Sequence, residues 1–257
     1  MNVLLAEFAS LMWGPWLLIL LLGTGCWLTF SLKGIQVRQI FYSLRLTFSK
    51  EREGEGDISH FGALMTALAA TVGTGNIAGV SIAVALGGPG AIFWMWLTGL
   101  VGMATKYSEG FLAVKYRQVN LKGEISGGPM YYLEKGLGQK WLAICFAFFG
   151  AMAAFGIGNM VQANTTAQAL SRFLGINTFF VGGVMMLLTA MVIIGGIKRI
   201  ADTASYLVPI MVVIYFLGAL VIILNNLEHL GAGIAMILQD AFTGTAATGG
   251  FAGASLA

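Results

Sequence analysis

Six apolar segments, each about as long as a membrane-spanning helix, limit what this chain can fold into more than any other feature. A helix needs about 20 apolar residues to cross the hydrocarbon core of a bilayer. The six segments are Leu11–Leu32, Phe61–Leu86, Ala91–Val114, Trp141–Leu170, Thr178–Ile197 and Ala204–Leu224, and a seventh begins near Asp240. Because lipid offers no hydrogen bonds to a backbone, segments of this length must be helical. The sequence therefore predicts an all-α, polytopic membrane helix bundle.

The composition excludes several classes of protein. Of the 257 residues, 58% are hydrophobic and only 10% are charged, whereas soluble domains average about 25% charged residues. The net charge of +3 is too small to indicate a nucleic-acid partner. Cys26 and Cys145 lie in apolar runs without metal-ligand spacing, and we interpret both as buried, inert thiols. Since the sequence has no P-loop, GxSxG or HExxH motif, we predict no enzyme activity, no catalytic residues and no cofactor.

The basic residues predict the orientation of the chain. Twelve Lys and Arg residues follow the first, third and fifth segments, whereas Arg172 alone lies on the other side. The positive-inside rule then places the N-terminus outside the cell, in a protein of the inner (cytoplasmic) membrane. The segments are separated by charged or Gly/Pro-containing stretches at 33–57, 87–90, 115–140, 171–177, 198–202 and 225–231. Because Glu7 and no Lys or Arg precedes the first segment, we interpret it as a retained span rather than a signal peptide.

The second segment contains residues that disfavour helix at its centre. Gly73, Thr74, Gly75 and Asn76 lie about midway along it. A broken helix at that depth exposes backbone groups, which must face protein or a polar cavity. Many transporters use such a break to bind a carboxylate with N–H groups and Na⁺ with carbonyls. The alternative is helix packing through the GxxxG pair of Gly75 and Gly79, but packing does not require the amide of Asn76.

A second Gly/Thr-rich stretch, residues 243–253, begins the seventh segment. Five spans separate the two stretches, counting the segment at Phe61 as the first, so the second stretch enters the membrane from the opposite side. Paired interruptions in corresponding positions are typical of inverted-repeat transporters. We therefore predict one transmembrane domain, with an extra span at 11–32, a first repeat at 61–225 and the start of a second at 240–257.

Polar side chains in two other segments leave alternatives open. Asn159 and Gln162 share a helical face in the fourth segment, where they either hold helices together or line a polar pathway. Lys106 and Glu109 in the third segment are either a neutralised pair near the inner interface or part of a proton relay.

Several motifs resemble those of the alanine/glycine:cation symporter family, also called sodium:alanine symporters. They cover the chain from about residue 12 to its end, in the order of the family. The matching stretches are 71–79, 85–96, 103–109, 127–132, 158–162, 195–199 and 249–253. The resemblance implies a LeuT-like fold of two inverted five-helix repeats and Na⁺-driven uptake of small neutral amino acids such as alanine or glycine.

The resemblance also implies the roles of particular residues. Thr74, Gly75 and Asn76 would meet the substrate, and Gln162 would complete this half of the pocket with Gly250 and Phe251. The carbonyls of Ala69 and Val72 would contribute to a sodium site. Family members are nearly twice as long as this chain, which looks like their N-terminal part. The alternatives are a truncated, non-transporting membrane protein and a channel.

Overall fold

The described part of the chain is almost entirely helical. A computed structural model describes residues 7, 11–12, 15–49, 58–119, 125–243 and 246. Twelve α-helices lie within these ranges: α1 (Pro15–Ser31), α2 (Ile35–Arg38), α3 (Ile40–Thr47), α4 (His60–Thr71), α5 (Val80–Gly87), α6 (Ala91–Lys115), α7 (Pro129–Lys135), α8 (Lys140–Ala153), α9 (Gln162–Leu174), α10 (Thr178–Ile193), α11 (Gly196–Asn225) and α12 (Leu227–Asp240).

Two π-helical segments and one short hairpin complete the described elements. The π-helical segments are Gly75–Gly79, which leads into α5, and Ala154–Val161, which joins α8 to α9. Strands β1 (Gln118–Val119) and β2 (Ile125–Ser126) pair antiparallel, with Gln118 opposite Ser126. The predicted fold class, an all-α membrane protein, is thus confirmed. The short hairpin is the one described element that is not helical.

Two continuous helices among the described residues are long and apolar enough to cross a membrane, Lys140–Leu174 and Gly196–Asn225. The pair His60–Thr71 and Gly75–Gly87 counts as a third if it forms one broken span. Helices α1, α6 and α10 lie where the sequence predicts further spans, but none of them is both long enough and apolar enough to be counted as a span. For α1 and α10 the reason is length, at 17 and 16 residues. The expected seventh span lies almost wholly outside the described residues.

Two of the expected separators are wrong. The stretch 198–202 lies inside α11, and 225–231 holds the end of α11 and the start of α12, with only Asn226 between them. Charged side chains end the part of a helix that lipid accommodates, but they do not interrupt its backbone hydrogen bonds. The segment 33–57 likewise contains α2 and α3 instead of a plain loop.

Local signals explain where several helices begin and end. Ser59 caps the N-terminus of α4, where its side chain accepts a hydrogen bond from the N–H of Gly62. Asn177 caps α10 in the same way through the N–H of Phe179. Gly175 ends α9 in the left-handed region at φ +67°, a conformation that a glycine adopts at little cost.

The chain forms two compact units. The first unit comprises residues 1–44, 78–115 and 229–257. Within it α1 packs along α6, and a Cβ atom at Gly25 would overlap the side chain of Val101. The absence of a side chain at Gly25 therefore lets these two helices approach closely.

The second unit comprises residues 45–77 and 116–228. Its most extensive helix contact joins α4 to α11, and Met65, Ala204 and Val208 form a small buried cluster there. Helix α10 packs against α9 and α11. Most large apolar side chains of the described residues are exposed, as expected for helices whose outer faces meet lipid. Cys26 and Cys145 are exposed as well, so the prediction that both thiols are buried is wrong.

Candidate binding site at the broken helix

The second apolar segment is broken at the residues that the sequence singles out. Helix α4 ends at Thr71, and Val72 adopts an extended conformation with φ −87° and ψ 99°. The chain turns helical again at Gly75, in the π-helical segment. The two helical pieces are bent by 54° at the break.

The break takes carbonyl groups out of the helical hydrogen-bond ladder. In a continuous helix the N–H groups of Gly73 and Asn76 would donate to the carbonyls of Ala69 and Val72. Instead, the Gly73 N–H donates to Oδ1 of Asn76 at 3.2 Å. The Asn76 N–H donates to the carbonyl of Gly73 at 3.1 Å. Both carbonyls that the family resemblance assigns to sodium have therefore lost their regular donors.

A side chain distant in sequence holds the break in place. Oε1 of Gln162 accepts two hydrogen bonds from Thr74, one from the backbone N–H at 3.1 Å and one from Oγ1 at 2.8 Å. A Cβ atom at Gly73 would lie 3.2 Å from the same Oε1, so the carboxamide lies directly against the glycine. Nε2 of Gln162 has no hydrogen-bond partner among the described residues, which leaves two N–H donors beside the break.

Gln162 owes its position to the second π-helical segment. It is the first residue of α9 and follows Ala154–Val161 directly. π-Helical turns contain extra residues, change the direction in which later side chains point and occur frequently at functional sites. Neither π-helical segment is predicted from the sequence. Gly156 and Gly158 within an otherwise apolar run were the signal available for the second.

The other predicted site residues fall into three groups. Gly75 begins the first π-helical segment, and the side chain of Asn76 is exposed apart from its bond to Gly73. Asn159 is exposed and makes no described contact with the break. Gly250 and Phe251 lie outside the described residues, so their predicted approach to this site stays a prediction.

Lys106 and Glu109, three residues apart on α6, form an ion pair with each other. Nζ of Lys106 lies 2.9 Å from Oε2 of Glu109, and both side chains are exposed at 74% and 40%. The described residues contain no group of three or more His, Cys, Asp or Glu side chains placed to hold a metal ion. The candidate chemistry of the broken helix is thus the binding of a small polar ligand by backbone and amide groups.

Comparison with known proteins gives this geometry its context. The sequence profile of the sodium:alanine symporter family matches residues 1–257, which is the whole chain. The chain belongs to the sodium:alanine symporter family. Its members are transporters and not enzymes, and the apolar helices agree with a membrane protein of this kind.

Individual relatives agree on transport but differ in substrate. The sodium/alanine symporter AgcS of Methanococcus maripaludis is 52% identical over 96% of this chain and 56% of its own length. An uncharacterized transporter of Haemophilus influenzae is 50% identical over 97% of this chain and 55% of its own length. The "probable sodium/glutamine symporter" GlnT of Bacillus subtilis is 39% identical over 96% and 52%. The chain spans about half the length of these relatives.

Proposed function

We propose that this chain is the first part of a sodium-coupled symporter that carries small neutral amino acids, alanine or glycine, across the cytoplasmic membrane. The observation that carries the proposal is the contact between Gln162 and the broken helix. It joins two polar side chains within apolar segments, where apolar side chains would suffice for packing. Polar groups in a membrane helix are costly and are usually partnered or functional.

The break offers groups for the carboxylate of an amino acid and for its coupling ion. We assign the substrate carboxylate to the break at Thr74, Gly75 and Asn76 and to Nε2 of Gln162, which has no hydrogen-bond partner among the described residues. The carbonyls of Ala69 and Val72 are assigned to Na⁺, since a hard cation prefers oxygen ligands and both carbonyls lack their helical donors. The two carbonyls then gain a partner in place of the helical donors that the broken ladder no longer supplies.

The rest of the binding site belongs, in this proposal, to an inverted-repeat transporter with a LeuT-like fold. The first repeat is residues 61–225 of a single transmembrane domain, preceded by an extra helix, with the N-terminus outside. Gly250 and Phe251, at the start of the second repeat, complete the site from the opposite side. Two Gly-interrupted helices that meet near the midplane are the expected arrangement for alternating access.

Alanine or glycine is favoured over larger substrates by the small residues at the break, and the name of AgcS agrees with alanine. The name of GlnT includes glutamine, so the size of the substrate needs its own measurement. A channel would need a continuous polar face on several helices. Only the fourth apolar segment has amides on a shared helical face, at Asn159 and Gln162.

The decisive experiment is uptake of radiolabelled alanine by the full-length protein in liposomes. We expect accumulation under an inward Na⁺ gradient and none when K⁺ replaces Na⁺. Competition by glycine, serine and glutamine then ranks the substrates. A current without alanine accumulation would indicate a channel, and a lack of Na⁺ dependence would contradict the symport proposal.

A further inference from the structure

A polar cavity of about 270 Å³ lies at the end of α4 that is far from the break. It is formed between the first turn of α4 and the first turns of α11, wholly within the second unit. Its walls are Ile58, Ser59, Gly62, Lys198, Ala201, Asp202 and Ser205. Ser59 is thirteen residues from Val72, about 20 Å along a helix, so the cavity is separate from the site at the break.

Gly62 lets two serine hydroxyl groups approach closely at one wall of this cavity. It is buried, and a Cβ atom at its position would lie 3.2 Å from Oγ of Ser59 and 3.6 Å from Oγ of Ser205. The two hydroxyl groups therefore converge on the point where a side chain would otherwise stand. Because liquid water occupies about 30 Å³ per molecule, the cavity has room for an amino acid as small as alanine.

The hydroxyl groups offer complementary hydrogen bonds. Oγ of Ser59 accepts from the N–H of Gly62 at 3.1 Å, so its own proton is free to be donated. Oγ of Ser205 donates its proton to the carbonyl of Ala201 at 2.7 Å, so its lone pairs are free to accept. One hydroxyl thus provides a donor and the other an acceptor.

Two opposite charges complete the lining of the cavity. Lys198 and Asp202 are one turn apart on α11, yet no salt bridge joins them, and neither has an ionic partner among the described residues. The cavity therefore presents an ammonium group and a hydroxyl donor together with a carboxylate and a hydroxyl acceptor. This set matches a zwitterion, whose carboxylate and ammonium groups need opposite partners a few ångströms apart.

We propose that this cavity is a second binding site for a zwitterionic amino acid, an inference that rests on the symport function proposed above. Lys198 and Ser59 bind the carboxylate, and Asp202 and Ser205 bind the ammonium group. The Lys/Arg bias predicts that the N-terminal end of α11 is cytoplasmic, so a substrate leaving the break meets this site before release. Both charged side chains are exposed and screened, which makes the site weak and suited to release.

The test is equilibrium binding of radiolabelled alanine to the purified full-length protein in Na⁺. We expect a tight component and a weak one. Asp202→Asn and Lys198→Gln should each weaken the second component at least tenfold and leave the first unchanged. Gln162→Ala should weaken the first component and leave the second. Arg199→Gln is the matched control, because it removes a neighbouring charge that does not line the cavity.

A second measurement does not depend on resolving two components. Ser205→Cys, in a background without Cys26 and Cys145, places a thiol in the cavity. We expect alanine to slow its alkylation, and propionate and ethylamine, which each lack one charged group, to have no effect. The site would be supported if alanine protects this thiol from alkylation and Asp202→Asn abolishes the protection.

The outcomes separate the two proposals. One tight component that Asp202→Asn and Lys198→Gln do not alter, with no protection of the thiol, overturns the second site and leaves the symporter intact. An equal loss of the weak component in Arg199→Gln also overturns it, since general charge would then explain the effect. The absence of any alanine binding overturns both proposals.

Discussion

Oδ2 of Asp240 lies 2.9 Å from the amide nitrogen of Gly90, whose N–H donates to it in the turn before α6. The contact joins residues 150 positions apart within the first unit. Next to it, Nε1 of Trp94 donates to the carbonyl of Ala241 at 2.6 Å, and the ring of Phe93 lies 5.6 Å from that of Phe242. A carboxylate near the N-terminus of a 25-residue helix also interacts favourably with the helix dipole.

Replacing Asp240 should therefore destabilise the protein. Asp240→Ala removes a charge-assisted hydrogen bond to the backbone, which is worth about 1.5–3 kcal/mol. We expect a lower thermal unfolding temperature for the full-length protein in detergent. Gln239→Ala, an exposed neighbour on α12, is the control and should have little effect.

Gly88 should be as sensitive as Asp240. It lies at φ +74°, and a Cβ atom there would overlap the Asp240 carboxylate. Gly88→Ala is therefore expected to lower the unfolding temperature through backbone strain and displacement of the carboxylate. Wild-type stability in both Gly88→Ala and Asp240→Ala would mean that this contact contributes nothing.

The amide of Gln162 should control alanine affinity. Gln162→Ala removes both hydrogen bonds that hold Thr74, together with Nε2, which has no partner among the described residues. We expect alanine to bind at least tenfold more weakly, as measured by equilibrium binding in Na⁺. Gln168→Ala is the matched control, because it removes the same kind of side chain from the same helix. Gln168 bonds only to Asn164 among the described residues, so this variant should bind alanine with normal affinity. Equal losses in the two variants would argue against a specific role for Gln162.

The register of the π-helical segment before Gln162 should matter more than its composition. Deleting Gly156 removes one residue and rotates everything after it by about 100° relative to α8. Gln162 would then point away from the break, and we expect alanine binding to be lost. Gly156→Ala keeps the length, and no described atom beyond its own turn of helix lies within 4 Å of the added methyl group, so this variant should bind alanine normally. Normal binding by the deletion variant would refute this account of the π-helix.

Asn76→Ala should weaken alanine binding more than it weakens folding. A hydrogen bond to a charged substrate is worth about 1.5–3 kcal/mol, or roughly ten- to a hundredfold in affinity. The exposed bond to Gly73 should contribute less to stability. Binding and unfolding temperature are measured on the same preparation. A large fall in unfolding temperature with unchanged affinity would make Asn76 a structural cap only.

The orientation of the chain can be tested with single cysteines in a background without Cys26 and Cys145. We expect cysteines at Lys50 and Lys122 to be labelled from the cytoplasm and a cysteine at Leu230 from outside, because of the Lys/Arg bias. External labelling at position 122 would contradict both the orientation and the inverted-repeat proposal.

Much of the candidate site was predictable from local composition. The residues between Gly73 and Asn76 combine poor helix formers with polar groups, and the helix breaks there. The Ser59 cap of α4 and the glycine that ends α9 are equally local. The helix lengths were less predictable, because charged residues such as Lys198 and Asp202 end an apolar run without ending the helix.

The sequence by itself determined the membrane class of the protein, the positions of most helices and the place where one of them breaks, since hydropathy and backbone propensity act over a few turns of chain. Only the tertiary structure decided which groups meet. Gln162 reaches Thr74 across 88 positions, and Asp240 reaches Gly90 across 150. The π-helical register that points Gln162 at the break has the same origin, as does the close approach of Ser59 and Ser205 to Gly62. A hydrogen bond between distant residues depends on how the helices pack, and no window of local sequence contains that packing.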